Sequence, residues 1–258
     1  MDFDPGFPIT VLSDPMGFVY GPGVSGPAPE LRTLDAIRPS LLEPDCAGPE
    51  HVYCIAMDVA RQEDLADLRA RHLLYGVVTY QKGRLGREPI RSQGHIHAVS
   101  PSCGASTCEV YEIWDGFACI YMQPSGGDDP GDCFAVYGRA GDVIIVPPGW
   151  VHATVNACPD EPMTFGAWCI RDYGFDYRDV RRHGGIAWFP LSEGTGLTWV
   201  KNPAYRSGTL TEKDARDYPE FGLVRGAPIY RQYTERRDRF PFVTDPRSFA
   251  SLWENYRP

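Results

Sequence analysis

The chain of 258 residues is long enough for one sizeable core, and 43% hydrophobic with 23% charged residues is ordinary for a globular protein. The net charge of −9 excludes a general affinity for nucleic acid, whose phosphates require a positive surface. The 24 prolines and 27 glycines indicate many turns and few long helices, which favours an all-β protein.

Signals for export or membrane insertion are missing from the sequence. The N-terminus lacks the basic and apolar regions of a signal peptide, and no run of 18 apolar residues occurs. The eight cysteines include no Cys-x-x-Cys pair, so we expect free thiols rather than disulfides. We therefore predict a cytoplasmic protein without a membrane partner.

The predicted elements begin with an irregular N-terminal arm, residues 1–50, which is rich in proline and glycine and contains one short helix at Glu30–Ile37. A second helix is predicted at Glu63–His72. Apolar runs of strand length then alternate with turn signals. The predicted strands are Val52–Met57, Leu73–Tyr80, Glu109–Trp114, Phe117–Met122, Phe134–Tyr137, Val143–Val146, His152–Val155 and Met163–Ile170.

Eight short strands with few helices are typical of a jelly-roll barrel, which we place at residues 51–205. Asp115-Gly116 has the composition of a two-residue hairpin between two of these strands. Residues 206–258 form a C-terminal extension of unknown role, which could cover the barrel mouth or build a subunit interface. Its arginine-rich segment Tyr230–Phe240 is interpreted as a solvated surface or an arm folded back on an acidic body.

Three histidines and a glutamate occur at diagnostic spacings. His95 and His97 are two residues apart, which places both imidazoles on one face of a strand. The pattern Glu109-x6-Gly116 matches the end of the first cupin motif. Gly141-x5-Pro147-x-Gly149-x2-His152-x3-Asn156 matches the second motif at every position. The chain thus resembles the cupins, which implies a double-stranded β-helix, a form of jelly-roll barrel.

His95, His97, Glu109 and His152 provide three imidazoles and a carboxylate. Such a donor set suits one divalent transition metal, namely Fe, Mn, Ni, Zn or Co. In a wide barrel it leaves coordination positions open for a substrate. Eleven residues, Ala98–Cys108, separate His97 from Glu109, where cupins usually have three or four. This small, polar insert is predicted to be a loop at the barrel mouth that shapes access to the site.

Several segments resemble one group of cupins, the cupin-type (archaeal-type) glucose-6-phosphate isomerases. The resemblance is collinear over roughly residues 15 to 205. It is carried by Val52-Tyr53, Gly83–Glu88, Ser92–His97, Glu109–Tyr111, Val146–Asn156, Asp172–Gly174 and Lys201–Pro203. It implies interconversion of glucose 6-phosphate and fructose 6-phosphate, a reaction of glycolysis and gluconeogenesis. It also implies that the protein is a homodimer.

By the same resemblance, the four metal ligands are His95, His97, Glu109 and His152, and the substrate phosphate lies near Tyr53, Ser92 and Gly94. Two positions depart from the family. A family threonine is replaced by Val78, and a family tyrosine by Cys169 or Trp168.

The candidate catalytic residues are Glu109 and Tyr111. Glu109 could carry the proton between C1 and C2 of the sugar, or act only as a ligand. Tyr111 lies on the same strand face and could donate a hydrogen bond to a substrate oxygen, or be an ordinary rim aromatic. By strand alternation, Cys108 and Glu112 should point away from the lumen. The alternative functions are a cupin dioxygenase using the same site with iron, and a non-catalytic sugar-phosphate-binding protein.

Overall fold

A computed structural model describes residues 3–194 and 196–258, in which twenty strands and six short helices are present. The strands are β1 Ile9–Ser13, β2 Met16–Tyr20, β3 Val24–Ser25, β4 Glu30–Thr33, β5 His51–Met57, β6 Ala60–Arg61, β7 Leu73–Tyr80, β8 Arg84–Leu85, β9 Glu88–Pro89, β10 Ile96–His97, β11 Glu109–Asp115, β12 Phe117–Gln123, β13 Asp132–Arg139, β14 Val143–Val146, β15 Val151–Asn156, β16 Met163–Ile170, β17 Phe175–Asp176, β18 Trp188–Glu193, β19 Gly196–Lys201 and β20 Thr209–Asp214. The helices are α1 Leu34–Ile37, α2 Leu65–Ala70, α3 Arg178–Arg182, α4 Ile229–Glu235, α5 Pro241–Thr244 and α6 Ala250–Glu254.

Two sheets enclose the barrel. One has six strands in the order β14-β11-β16-β7-β5-β4, and the other has four in the order β15-β12-β13-β20. Neighbouring strands are antiparallel except β13 and β20, which are parallel. Side chains from both inner faces, among them Tyr111 and Met122, pack into one buried cluster. All eight predicted strands are present, and the all-β cupin barrel is confirmed.

Strands β7 and β16 are buried at every position, which explains their continuous apolar sequences. Their inner faces line the barrel. Their outer faces carry Tyr75 and Trp168, which pack against Phe7 from the N-terminal segment and against Tyr230 and Phe240 from the C-terminal extension. The extension therefore mainly covers the outer face of the larger sheet and not the barrel mouth.

The prediction that residues 1–50 are irregular was wrong. β1 and β2 form a hairpin in which Met16 and Phe18 are buried, and β4 joins the edge of the larger sheet. The predicted helix Glu30–Ile37 is a helix only from Leu34 onward, because Thr33 caps it by accepting a hydrogen bond from the Ala36 amide. Local proline and glycine content does not reveal pairing with distant strands.

The prediction of a two-residue hairpin at Asp115-Gly116 was also wrong. β11 belongs to the larger sheet and β12 to the smaller, so this turn is a corner between sheets. The positive φ of Gly116, +76°, agrees with the composition. A Cβ here would lie 2.5 Å from the Pro162 carbonyl oxygen, which excludes any larger residue without movement of the backbone.

The C-terminal extension is integrated into the fold. β20 pairs with β13 from Asp132 to Tyr137, which leaves only the last two residues of β13 without a partner in β20. In the arginine-rich segment, Arg237 is 2.6 Å from the buried carboxylate of Asp64, which also accepts a hydrogen bond from the Tyr230 hydroxyl. An arm folded back on an acidic body is thus the arrangement found. In the described part of the chain, every helix is too short or too polar to cross a bilayer.

Candidate functional site

His95, His97, Glu109 and His152 converge inside the barrel, where each offers one donor atom and all four atoms lie within 4.8 Å of one another. Glu109 begins β11 in the larger sheet, and His152 is the second residue of β15 in the smaller sheet. His95 is tied to His152 by two reciprocal backbone hydrogen bonds of 3.0 Å. The cluster therefore depends on both sheets.

Backbone carbonyl groups fix the orientation of two imidazoles. The Nδ1 atom of His97 lies 3.1 Å from the carbonyl oxygen of Thr107, and that of His152 lies 3.2 Å from the carbonyl oxygen of Trp150. A carbonyl oxygen can only accept, so Nδ1–H must donate in both rings. Each neutral ring then presents an Nε2 lone pair to the interior, as metal-binding histidines do.

The interior of the cluster is rich in acceptor atoms and suits a cation. The Nε2 atoms of His97 and His152 each lie 3.2 Å from the same carboxylate oxygen, Glu109 Oε2. The Nε2 atom of His95 is buried without a hydrogen-bond partner among the described residues. The lone pairs of His97 and His152 would repel the carboxylate oxygen unless a positive charge lies between them, and a cation would also give His95 Nε2 a partner. The donor set therefore fits a metal ion.

The electrostatics keep these groups in metal-binding form. Burial, reinforced by the neighbouring imidazoles, holds the pKa of His95 well below its ordinary value, and burial also lowers the pKa of His152. Both rings are thus neutral near pH 7. Burial opposes ionisation of Glu109, but the contacts of its carboxylate with the His152 and His97 rings outweigh burial and bring the pKa of Glu109 below its ordinary range.

The insert Ala98–Cys108 orients a candidate ligand. It supplies the Thr107 carbonyl described above, and the Ser106 hydroxyl donates to the carbonyl oxygen of His97 at 2.7 Å. The Ser106 oxygen also accepts from the Gly149 amide at 3.0 Å, which connects the insert to the loop before β15. From the C-terminal extension, Arg247 donates to the carbonyl oxygen of Gly104. The insert therefore also fixes the position of His97, in addition to forming part of the barrel mouth.

A cavity inside the barrel adjoins the cluster. His95, Glu109 and Tyr111 line one part of it. The other lining residues are Arg32, Tyr53, Ile55, Met57, Gly76, Val78, Tyr80, Ser92, Gln93, Thr154, Phe165, Ala167, Phe175 and Tyr177. Most of this surface is apolar or aromatic, with a few polar groups, which is the usual composition of a ligand site.

The candidate catalytic residues are in contact. The Tyr111 hydroxyl donates a 2.9 Å hydrogen bond to Oε2 of Glu109. Burial, and then the charge of Glu109, raises the pKa of Tyr111 well above its ordinary value, so the hydroxyl keeps its proton. Oε1 of Glu109 makes no hydrogen bond to the described residues, although the residue lines the cavity.

Of the three residues predicted to bind the substrate phosphate, two line the cavity and one does not. Tyr53 and Ser92 line the cavity, and the Ser92 oxygen accepts from the Thr154 amide at 3.0 Å, which leaves its proton free to donate. Gly94 is next to His95 but is not among the lining residues. Its φ is +89°, and a Cβ would lie 2.7 Å from Ile186, so glycine is required there on backbone grounds.

Sequence reasoning missed some of the residues that line the cavity, but it correctly excluded Glu112. Thr154 lies two residues after His152 on β15, and strand alternation could have identified it. Arg32 could not have been found locally, because β4 reaches the cavity only by pairing with β5. Glu112 points away from the cavity and accepts from the Ile229 amide, as alternation predicted. Trp168 also faces outward, so Cys169 is the residue on the inner side of β16.

Comparison with known proteins gives a consistent result. The model of the family described as glucose-6-phosphate isomerase matches residues 40–206. The glucose-6-phosphate isomerase of Thermococcus onnurineus is 30% identical over 135 residues, which are 52% of this chain and 66% of the relative. That of Pyrococcus furiosus is 28% identical over 148 residues, 57% of this chain and 70% of the relative. The matched part thus spans about two-thirds of these relatives.

Among solved structures, an oxalate oxidase aligns with a TM-score of 0.32 and 16% identity, over 41% of this chain and 45% of that chain. The family model covers more than half of the chain, and the matched range contains the whole His95, His97, Glu109 and His152 cluster. The chain therefore belongs to the glucose-6-phosphate isomerase family.

Proposed function

We propose that the protein is a metal-dependent aldose–ketose isomerase that interconverts glucose 6-phosphate and fructose 6-phosphate. The observation that carries this proposal is the cluster of three imidazoles and one carboxylate at the wall of a cavity, in a chain of the glucose-6-phosphate isomerase family. A family match alone would not require a donor set of this kind to line a cavity.

In this proposal, His95, His97, Glu109 and His152 hold one divalent ion, which is Fe, Mn, Ni, Zn or Co. When bound, such an ion supplies a Lewis acid that polarises the sugar carbonyl, worth several kcal/mol of barrier. The Thr107 and Trp150 carbonyls keep the rings of His97 and His152 in the required tautomer. We also propose that the protein acts as a homodimer in the cytoplasm.

The cavity residues bind and orient the sugar. The hydroxyl groups of Ser92 and Tyr53, both on the cavity wall, are proposed donors to the phosphate. The amide of Gly94 is a third proposed donor, next to the lining residue His95 although Gly94 itself does not line the cavity. The apolar walls exclude water from the reacting carbons, which strengthens every electrostatic interaction near them. Phe165, Phe175 and Ala167 form part of these walls.

Glu109 is the proposed base. It is ionised at neutral pH, lines the cavity, and has one carboxylate oxygen that is not used in hydrogen bonds to the described residues. It would take the proton from C2 and return it to C1. The Tyr111 hydroxyl, which holds the other oxygen at 2.9 Å, would fix the carboxylate orientation and could turn to a substrate oxygen.

The test is an assay of purified protein with fructose 6-phosphate, in which glucose 6-phosphate formation is followed with a coupled dehydrogenase. We expect turnover that is abolished by a chelator and restored by one of the five metals. Oxygen consumption in place of isomerisation would indicate a dioxygenase. Binding of the sugar phosphate without either reaction would indicate a sensor. Either result would overturn the proposed activity.

A further inference from the structure

The cavity contains one positively charged side chain, Arg32, to which no role has yet been assigned. Arg32 is the only lysine or arginine among the residues that line the cavity in the described chain. A phosphate monoester carries close to two negative charges at neutral pH, and charge-assisted hydrogen bonds from arginine are among the strongest ways to bind one. The phosphate donors considered so far, Tyr53, Ser92 and Gly94, are all neutral.

Arg32 lies beside a proposed phosphate contact. It is directly opposite Tyr53 in the pairing of β4 with β5. Burial raises the pKa of Tyr53, and the adjacent Arg32 guanidinium opposes this effect. Tyr177 lines the same cavity as Arg32, and its ring centroid is 5.8 Å from that of His95. The same cavity is thus lined by Arg32 and by His95 and Glu109 of the cluster, which suits a molecule with a phosphate at one end.

Arg32 also has donor capacity to spare. One terminal nitrogen, NH2, is 2.7 Å from Glu30, whose side chain is 64% exposed, whereas the Arg32 side chain is 24% exposed. Its Nε is buried and has no hydrogen-bond partner among the described residues. An ion pair with so exposed a carboxylate contributes little, whereas a buried guanidinium N–H without an acceptor is costly. A phosphate oxygen at Nε would remove that cost.

We propose that Arg32 binds the phosphate group of the substrate and is the main residue selecting phosphorylated over free sugars. The assignment deepens the proposed isomerase function and rests on it for the identity of the sugar. The planar guanidinium can offer Nε–H and a terminal N–H to two phosphate oxygens at once, which a lysine cannot do. The N-terminal strand β4, whose sequence alone suggested a helix, would then be part of the substrate site.

The test compares binding of fructose 6-phosphate with binding of fructose, by calorimetry, to the metal-loaded parent and to Arg32→Gln. We expect Arg32→Gln to bind fructose 6-phosphate roughly ten- to hundred-fold more weakly while fructose binding is unchanged. The affinity of Arg32→Lys for fructose 6-phosphate should lie between those of the parent and Arg32→Gln, because lysine keeps the charge but lacks the planar fork of donors. Arg87→Gln is the matched control, since its side chain is 61% exposed and pairs with Glu43 away from the cavity.

The outcomes separate this inference from the proposed activity. If the parent isomerises the sugar but Arg32→Gln binds fructose 6-phosphate as tightly as the parent does, the assignment of Arg32 is wrong. An equal loss in Arg87→Gln would also overturn it, since the effect would then be general charge. The parent could fail to isomerise the sugar phosphate while Arg32→Gln still lowers the preference for fructose 6-phosphate over fructose. In that case the isomerase proposal fails and Arg32 remains the anion-binding residue. Thermal melting of each variant verifies the fold.

Discussion

Glu109 Oε2 lies 3.2 Å from His152 Nε2, although the two residues are 43 positions apart and belong to different sheets. The contact exists because the sheets close into a barrel and bring the start of β11 against β15. Because His152 Nδ1 donates to the Trp150 carbonyl, its Nε2 cannot also donate to Glu109 in a neutral ring. The geometry of these two residues is therefore that expected of two ligands of one shared cation.

The first prediction concerns His152. His152→Ala removes one of four donors and leaves Glu109 and His97 facing an incomplete site, so metal affinity should fall by more than the roughly 10- to 100-fold typical of losing a ligand's outer hydrogen-bond partner. The measurement is elemental analysis after dialysis, with circular dichroism to verify folding. His51→Gln removes an imidazole outside the cluster and should retain the metal. Unchanged metal content in His152→Ala would exclude the assigned site.

The second prediction concerns Ser92. Its hydroxyl proton is free to donate, because the oxygen already accepts from the Thr154 amide. Ser92→Ala should weaken fructose 6-phosphate binding about three- to ten-fold, the usual range for one hydrogen bond of about 0.5–1.5 kcal/mol. It should leave the metal content unchanged. The buried Thr154 amide also loses its acceptor, at a cost of about 1–3 kcal/mol in unfolding free energy.

Ser92→Thr is the control for that cost, because threonine keeps both the acceptor and the hydroxyl proton. Calorimetric titration with fructose 6-phosphate gives the affinity, and urea unfolding gives the stability. If Ser92→Ala binds the sugar phosphate as well as the parent does, Ser92 is not a phosphate contact. Its role would then be limited to the backbone bond with Thr154.

The cluster could be predicted from sequence because its residues stand at fixed positions of short motifs that the chain shares with the cupins. His95 and His97 are two residues apart, and Glu109 and His152 each occupy a strand of the expected length beside a turn that needs glycine. The barrel strands were predictable from their apolar runs and the turn signals between them. The positive φ of Gly116 was also readable from composition, but the strand partners on either side of it were not.

What sequence could not reveal were contacts between distant segments. Arg32 reaches the cavity through the pairing of β4 with β5, and Tyr230 reaches Asp64 across 166 positions. Neither segment has a hydrophobic period that identifies its partner. The covered outer face of the larger sheet explains why β7 and β16 lack alternation, but that pattern alone does not say which segment covers them.

The third prediction is a pH dependence of stability that arises from Glu112. This carboxyl is buried beneath the C-terminal extension, and burial raises its pKa to about 8, although hydrogen bonds from the Ile229 amide and the Trp114 indole oppose the effect. Between the ordinary value of 4.5 and about 8, the folded protein holds one proton that the unfolded chain has lost. Stability from this group should therefore fall as pH rises through that window, by about 1.4 kcal/mol per pH unit.

Glu112→Gln keeps an acceptor for the Ile229 amide but cannot ionise. Urea unfolding at intervals from pH 5 to pH 8.5 should show a stability difference between Glu112→Gln and the parent that grows with pH in favour of the variant. Glu63→Gln, which removes a carboxylate that is 73% exposed, is the matched control. A difference that is constant with pH would mean that Glu112 is ionised in the folded protein throughout this range.

The last prediction separates the two roles of Glu109. Its Oε2 lies 3.2 Å from two imidazole nitrogens and 2.9 Å from the Tyr111 hydroxyl, as a ligand would, while Oε1 has no hydrogen bond to the described residues. Glu109→Gln keeps an oxygen that can coordinate weakly beside three imidazoles, so much of the metal should remain. If Glu109 carries the proton, turnover per bound metal should fall by roughly 10²–10⁴, the usual contribution of a general base.

The measurement is isomerisation rate divided by metal content, made together with exchange of the C2 hydrogen into deuterated water. Extensive exchange in the parent would support proton transfer through a base in contact with solvent. Tyr111→Phe removes the hydroxyl that holds Oε2 without removing the carboxylate, so it should reduce turnover less than Glu109→Gln does. If Glu109→Gln has the same turnover per bound metal as the parent, Glu109 is only a ligand. Tyr111 would then be the next candidate for the proton transfer, because it is the cavity hydroxyl in direct contact with the cluster.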